Sequence, residues 1–181
     1  GIPVPVYHAE PTLARFHASD AFFRGVRGPL GSGKSVGCCA EVMSRILRQK
    51  AFMGLRRSRW AIIRNTYGEL KTTTIKTWMD WYGAVTKISY GHPIMGLINM
   101  PLQDGTAVQA ELVFISLDRP DHVKQLKSLE LTGVWLNEAS ELPEYVTQMA
   151  TGRVNRYPSK VQGGSRGEGL LPDTHPCTPH P

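Results

Sequence analysis

Little in this chain of 181 residues could staple it or anchor it. Three cysteines make no disulfide framework, and Cys38 and Cys39 are adjacent, so they read as small core residues in a reducing compartment. No Cys/His spacing suits zinc, because Cys177 with His175 and His180 is too short a cluster. No apolar run approaches the roughly 20 residues of a membrane span. No charged-then-apolar leader opens the sequence, which argues against secretion, although a first residue of Gly1 leaves the true N-terminus open. No internal repeat is present. Acid is also missing from one interval: between Glu41 and Glu69 there is none, while Arg45, Arg48, Lys50, Arg56, Arg57, Arg59 and Arg64 all fall there. Such a run is either a solvated helix end and loop or a phosphate-tracking patch, and composition leaves both open.

What is present describes one globular domain with a substantial core, 41% hydrophobic. The formal charge of +6 suggests a polyanionic partner.

The stretch around which the chain is organised is GPLGSGKS, comprising Gly28, Pro29, Leu30, Gly31, Ser32, Gly33, Lys34 and Ser35. It fits G-x-x-x-x-G-K-[ST] at every specified position. Phe22 to Val26 before it can form a buried strand, and Val36 to Leu47 after it has helical spacing. Strand, glycine turn and helix are what phosphate binding requires. Glycines let the backbone turn its N–H groups onto phosphate, and the helix start adds positive potential. Lys34 can then reach the β- and γ-phosphates, and the Ser35 hydroxyl can ligate Mg²⁺. The expected ligand is a nucleoside triphosphate.

Residues 1–12, with three prolines, look extended, and Leu13 to Asp20 leads into the first strand. Phe16 and His17 are candidates for nucleobase contact, although Phe16 reads first as a core residue. Trp60 to Ile63 reads as a second buried strand, and Tyr67 to Tyr82 as a helix that the threonines Thr72 to Thr74 weaken. Val85–Tyr90, Leu97–Leu102 and Val108–Leu117 are strand-like, with a hairpin turn at Asp104-Gly105. Pro120 to Leu129 suits a short helix, Leu131 to Leu136 a further buried strand, and Pro143 the start of another helix running to about Gly152 or Arg156. Strands alternating with helices predict an α/β domain with a mainly parallel sheet and an antiparallel insertion around 83–117. The Leu131–Leu136 strand ends in Asn137-Glu138, where a P-loop enzyme needs one residue for Mg²⁺ and one for the attacking water. Glu138 is the expected general base. Asn137 takes the metal position without supplying charge.

Four stretches together resemble the ATPase domain of a tailed-phage large terminase subunit, the motor that pushes DNA into an empty capsid. They are LARFHASDAFFRGVRGPLGSGKS (13–35), RNTYGELKTTTIKTWMDWY (64–82), FISLDRPDHVKQLKSLELTGVWLNEASEL (114–142) and TGRVNRYPS (151–159). The resemblance implies a RecA-like sheet of the additional-strand, catalytic-glutamate type over 21–181, after an N-terminal arm at 1–20. Lys34, Ser35 and Glu138 fall on the family's Walker A lysine, metal-binding hydroxyl and catalytic glutamate, and Asn137 sits where many members carry Asp. Asp173 to Pro176 resembles the coupling motif, with His175 in place of its Asn. The family's nuclease domain and the last strands of the ATPase core are not expected in this chain. A ring of copies is implied, in which an arginine from one subunit completes the next subunit's site. The candidates are Arg64, Arg119, Arg153 and Arg156, and Arg119 is favoured because its segment faces outward in such folds. Also implied are ATP and Mg²⁺ as cofactors, double-stranded DNA, portal protein and small terminase subunit as partners, and the host cytoplasm as location. Two other readings stand beside this one: a nucleotide-binding scaffold without turnover, and another RecA-like ATPase such as a helicase. A nucleotide kinase is disfavoured because no arginine-rich lid follows the core.

Overall fold

A computed structural model of the chain describes residues 5–18, 33–138 and 142–162. The expected strand Phe22–Val26, the P-loop residues Gly28 to Ser32 and the Asp173–Pro176 motif lie outside the described residues. Helix α1 (Pro11–Ala18) is followed by α2 (Lys34–Arg48), β1 (Leu55–Arg64) and α3 (Tyr67–Glu69). A π-helix (Leu70–Ile75) joins α3 to α4 (Lys76–Tyr82). Three strands follow, β2 (Lys87–Ser89), β3 (Ile94–Pro101) and β4 (Ala107–Ser116), and then α5 (Pro120–Leu126), β5 (Gly133–Leu136) and α6 (Glu144–Thr151).

The five described strands form one sheet in the order β2-β3-β4-β1-β5. Strand β1 pairs in parallel with β4 on one side and β5 on the other, while β3 pairs antiparallel with both β2 and β4. The antiparallel insertion therefore feeds a central parallel strand, as the sequence predicts. Period-two alternation along β1 splits the core: Trp60 and Ile62 face α1, α2 and the helix after β1, whereas Ala61 and Ile63 face α5 and α6. Both faces of the sheet are covered, which explains why β1 and β5 read as continuous apolar runs.

Several boundaries differ from expectation, and three of them have a clear physical setting. Strand β1 begins five residues before Trp60, because Arg56 and Arg59 are held at the sheet by Asp104 and Glu111. The residues around Leu13 form a full helix whose Leu13 and Phe16 join the α2 core. Pro143 caps α6 from outside instead of opening it, and α6 stops at Thr151. Cys39 is a free, buried thiol pushed upward by burial, as a core cysteine should be. Its buried neighbour Cys38 is in a disulfide, so the reduced-thiol reading holds for Cys39 and not for Cys38.

Asp104 shapes the β3–β4 turn. Its Oδ1 accepts from the Thr106 N–H at 2.9 Å and from the Thr106 hydroxyl at 2.6 Å, and its Oδ2 accepts from Arg56 at 2.9 Å. These bonds, led by the Thr106 hydroxyl, hold the carboxyl down at about 2. A folded-state value below the ordinary carboxylate value of about 3.9 gives stability that is complete above that pH and lost as pH falls through the folded value. Asp104→Asn is therefore expected to melt below wild type near neutrality, the gap closing between about pH 4 and pH 2. Thermal unfolding of both proteins across that range checks it, and a gap independent of pH would rule the mechanism out.

Candidate functional site

Strands β1 and β4 end in register, with Arg64 opposite Ser116, and β5 ends alongside them, with Leu136 opposite Ile63. In open α/β sheets ligands bind at this carboxyl edge. The ladder continues one step further, the Asn137 N–H donating to the Ile63 carbonyl at 2.8 Å. The next residue, Glu138, has φ +57° and is half-buried. A left-handed glutamate is uncommon, and it breaks the strand line directly after Asn137.

The other half of the site begins α2. Gly33 has φ +77°, which glycine adopts without strain, and its carbonyl accepts from the Gly37 N–H at 2.8 Å. Lys34 follows, 8% exposed, and Ser35 is half-buried in the first helical turn. The apolar side of α2 packs on the face of the sheet that carries Trp60, Ile62 and Trp135. The structure thus places Lys34 and Ser35 at the start of α2 and Asn137 and Glu138 at the end of β5.

Asn137 is 1% exposed. Its Nδ2 donates to the hydroxyl of Thr74 at 2.7 Å, while its Oδ1 is buried with no partner among the described residues. Mg²⁺ takes hard oxygen ligands, directly or through its waters. The Ser35 hydroxyl and the unpaired Asn137 Oδ1 fit it as oxygen donors, with the balancing charge left to the nucleotide.

Thr74 was not among the residues singled out in the sequence, although its threonine run carried a signal. The hydroxyls of Thr72, Thr73 and Thr77 donate back to the carbonyls of Gly68, Glu69 and Thr73. Back-bonding of this kind competes with regular α-helical pairing, and the segment winds as a π-helix instead.

The four finger candidates separate by position. Arg64 ends β1 and pairs with Glu69 at 3.4 Å. Arg119 lies beyond the end of β4, exposed, with its guanidinium 4.4 Å from the Tyr67 ring centre and no acidic partner among the described residues. Arg153 and Arg156 hold the other end of β5 by backbone bonds to Leu131. Seven residues of extended chain, roughly 23 Å, separate Leu131 from Glu138.

Four cations of the acid-free basic interval pair with acids, two with the acids that bound the interval and two with acids distant in sequence. Arg45 is buried against Glu41, and Arg56, Arg59 and Arg64 reach Asp104, Glu111 and Glu69. Among the described residues Arg48, Lys50 and Arg57 have no such partner. They gather where α2 ends and β1 begins, at the sheet edge away from Glu138. His17 and Phe16 lie on α1, Phe16 in the core and His17 bonded to Glu41 and Tyr7.

Two other features are not part of this site. A cleft of about 440 Å³ beside Tyr7, Met43, Leu47 and Tyr82 is apolar and lies toward the far end of α2. His92, Asp121 and His122 bring three possible ligand atoms within 4.8 Å of one another. However, the Ser116 N–H donates to His122 Nδ1 at 3.1 Å, so the neutral ring carries its proton on Nε2. A metal at Nε2 would force that proton onto Nδ1, against the amide. Burial also holds this histidine below its ordinary value.

Solved structures share this fold. The large terminase ATPase domain of Thermus phage P74-26 matches over 93% of this chain and 66% of its own, at 21% identity and a TM-score of 0.57. A large terminase from a thermophilic bacteriophage matches over 71% of this chain at 14% identity and a TM-score of 0.57. The ADP complex of that terminase matches over the same share at 16% identity and a TM-score of 0.53. The chain spans only 30% of that terminase's length. No protein-family model and no curated relative matches the sequence. The chain therefore has the mixed α/β, RecA-like fold of phage large-terminase ATPase domains. Among the described residues no helix is long and apolar enough to cross a membrane.

Proposed function

We propose that this chain is the ATP-hydrolysing motor domain of a phage terminase large subunit, driving duplex DNA into a procapsid. The observation that carries the reading is Glu138, left-handed at the end of a parallel strand in a terminase ATPase fold. Lys34 meets the charge on the β- and γ-phosphates, assisted by the start of α2. Glu138 accepts a proton from water as its oxygen bonds to the γ-phosphorus and the bridging P–O bond breaks, releasing ADP and phosphate. Ser35 and Asn137 are the residues that would hold Mg²⁺, which would supply charge neutralisation at the phosphates. The ADP complex of one fold neighbour supports an adenine nucleotide as the ligand.

In the assembled motor, Arg119 is our choice for the residue that completes a neighbouring subunit's site, since its guanidinium is exposed and already stacked on Tyr67. Among the described residues of the basic interval, Arg48, Lys50 and Arg57 have no acidic partner, and we assign them to DNA phosphate. A ring of copies working with portal protein and small terminase subunit in the host cytoplasm completes the proposal. A second reading, a nucleotide-binding scaffold without turnover, is favoured by one observation: Asn137 brings no charge and spends its amide on Thr74.

Hydrolysis of ATP by this chain with Mg²⁺, with and without duplex DNA, separates the two. DNA-stimulated turnover that vanishes in Lys34→Ala supports the motor, and the stimulation should weaken steeply with salt. Nucleotide binding without turnover supports the scaffold.

A further inference from the structure

The bond between Asn137 and Thr74 links the end of β5 to the π-helix between α3 and α4. Asn137 has two polar ends in a buried setting, and an amide there can present either one to a ligand. Thr74 Oγ1 takes the Nδ2 end at 2.7 Å, so the carbonyl end is the one left over. Thr74 is itself 1% exposed and sits in the π-helical turn that its threonine neighbours create. The register of that turn brings the hydroxyl to β5 from a point 63 residues earlier in the chain.

We propose that Thr74 is a positioning residue: it fixes the amide of Asn137 so that Oδ1 faces the metal side of the nucleotide site. The π-winding between α3 and α4 is then part of the site's construction. This rests on the nucleotide-binding reading above and adds to it a residue outside the P-loop and the strand end. The chemistry also explains how asparagine serves here. An aspartate at this position would accept a bond from the Thr74 hydroxyl, whereas asparagine donates to it, and in both cases an oxygen is left for the metal.

The test compares wild type with Thr74→Val, which removes the hydroxyl at nearly constant shape, and with Thr74→Ser, which keeps it. Binding of ADP to the 181-residue chain is measured by titration calorimetry in EDTA and across a Mg²⁺ series. The expected result is that Thr74→Val leaves affinity in EDTA unchanged and raises the Mg²⁺ concentration needed for half of the Mg²⁺-dependent gain by about 3–10-fold, the worth of one buried hydrogen bond. Thr74→Ser should restore the wild-type response. Asn137→Asp should shift the series to lower Mg²⁺ in the wild-type background and less so beside Thr74→Val. A merely structural threonine would lower the thermal midpoint in Thr74→Val and leave the Mg²⁺ series unmoved, and that result overturns the proposal. Identical behaviour of Val and Ser variants overturns it as well. Wild type that binds no ADP in either condition overturns the nucleotide reading, and this proposal with it.

Discussion

Replacing Glu138 with glutamine is expected to lower ATP turnover by about 10²–10⁴-fold, the usual contribution of a positioned general base. Nucleotide affinity should change little, because on the proposed reading the phosphate contacts belong to the start of α2 and not to β5. Several features fix the backbone that carries this carboxylate. The strand is pinned to β1 up to Asn137, whose N–H reaches Ile63. Thr74 holds the Asn137 side chain. The chain then turns left-handed at Glu138, a conformation that costs a non-glycine residue about 1–3 kcal/mol and persists only where its surroundings impose it. Glutamine keeps the size and the hydrogen-bonding reach but cannot take a proton. Steady-state hydrolysis and an ADP titration, run side by side on both proteins, check the two halves of the expectation. Turnover equal to wild type would remove Glu138 from the role of base. Lost affinity in the variant would show instead that Glu138 supports the fold of the site.

How much of this was legible from the residues depends on how local the cause is. The start of α2 and the end of β5 could be read directly, since an apolar run meeting polar residues, or a glycine turn meeting Lys34 and Ser35, is a local pattern. The turn at Asp104-Gly105 is equally local, with Gly105 at φ +85°. The length of β1 was not readable, because Arg56 and Arg59 become strand residues only through acids 48 and 52 positions away. For the same reason composition left the basic interval open between a solvated surface and a phosphate-tracking patch. Arg56 and Arg59 pair with Asp104 and Glu111 on β4 and its preceding turn, pairings that no window of sequence contains. The π-helix fell between these cases: β-branched threonines marked the trouble, but the choice between breaking and rewinding the helix came from their hydroxyls finding carbonyls four residues back. Of the P-loop itself, Gly33, Lys34 and Ser35 lie among the described residues, and they open a helix as the motif requires.

Gly133→Ala should be the most destabilising single methyl that can be added to the described core. Gly133 begins β5 directly opposite Trp60 of β1. A β-carbon built there would lie 2.3 Å from Trp60 Cζ3, 2.6 Å from Cη2 and 2.7 Å from Cε3, all well inside contact distance. Neither side can yield easily, since the indole is 1% exposed and wedged in the core with α2 and Trp135, and Gly133 is fixed by the parallel ladder. Overpacking of this kind costs about 1–3 kcal/mol and occasionally more. For a chain of this size the upper end corresponds to a fall of roughly 6–12 °C in the thermal midpoint. The glycine is needed for close approach and not for backbone freedom, so room made on the other side should relieve it. Trp60→Leu alone opens a void and is expected to destabilise, but the two changes together should cost less than their sum by about 1 kcal/mol or more. Thermal unfolding of the four proteins in the cycle measures this, and strict additivity would mean that the ring and the methyl never compete. Hydrolysis by Gly133→Ala below its melting range should stay near wild type. Glu138 lies five extended residues further on, roughly 16 Å away, with the strand end anchored independently by Ile63 and Thr74.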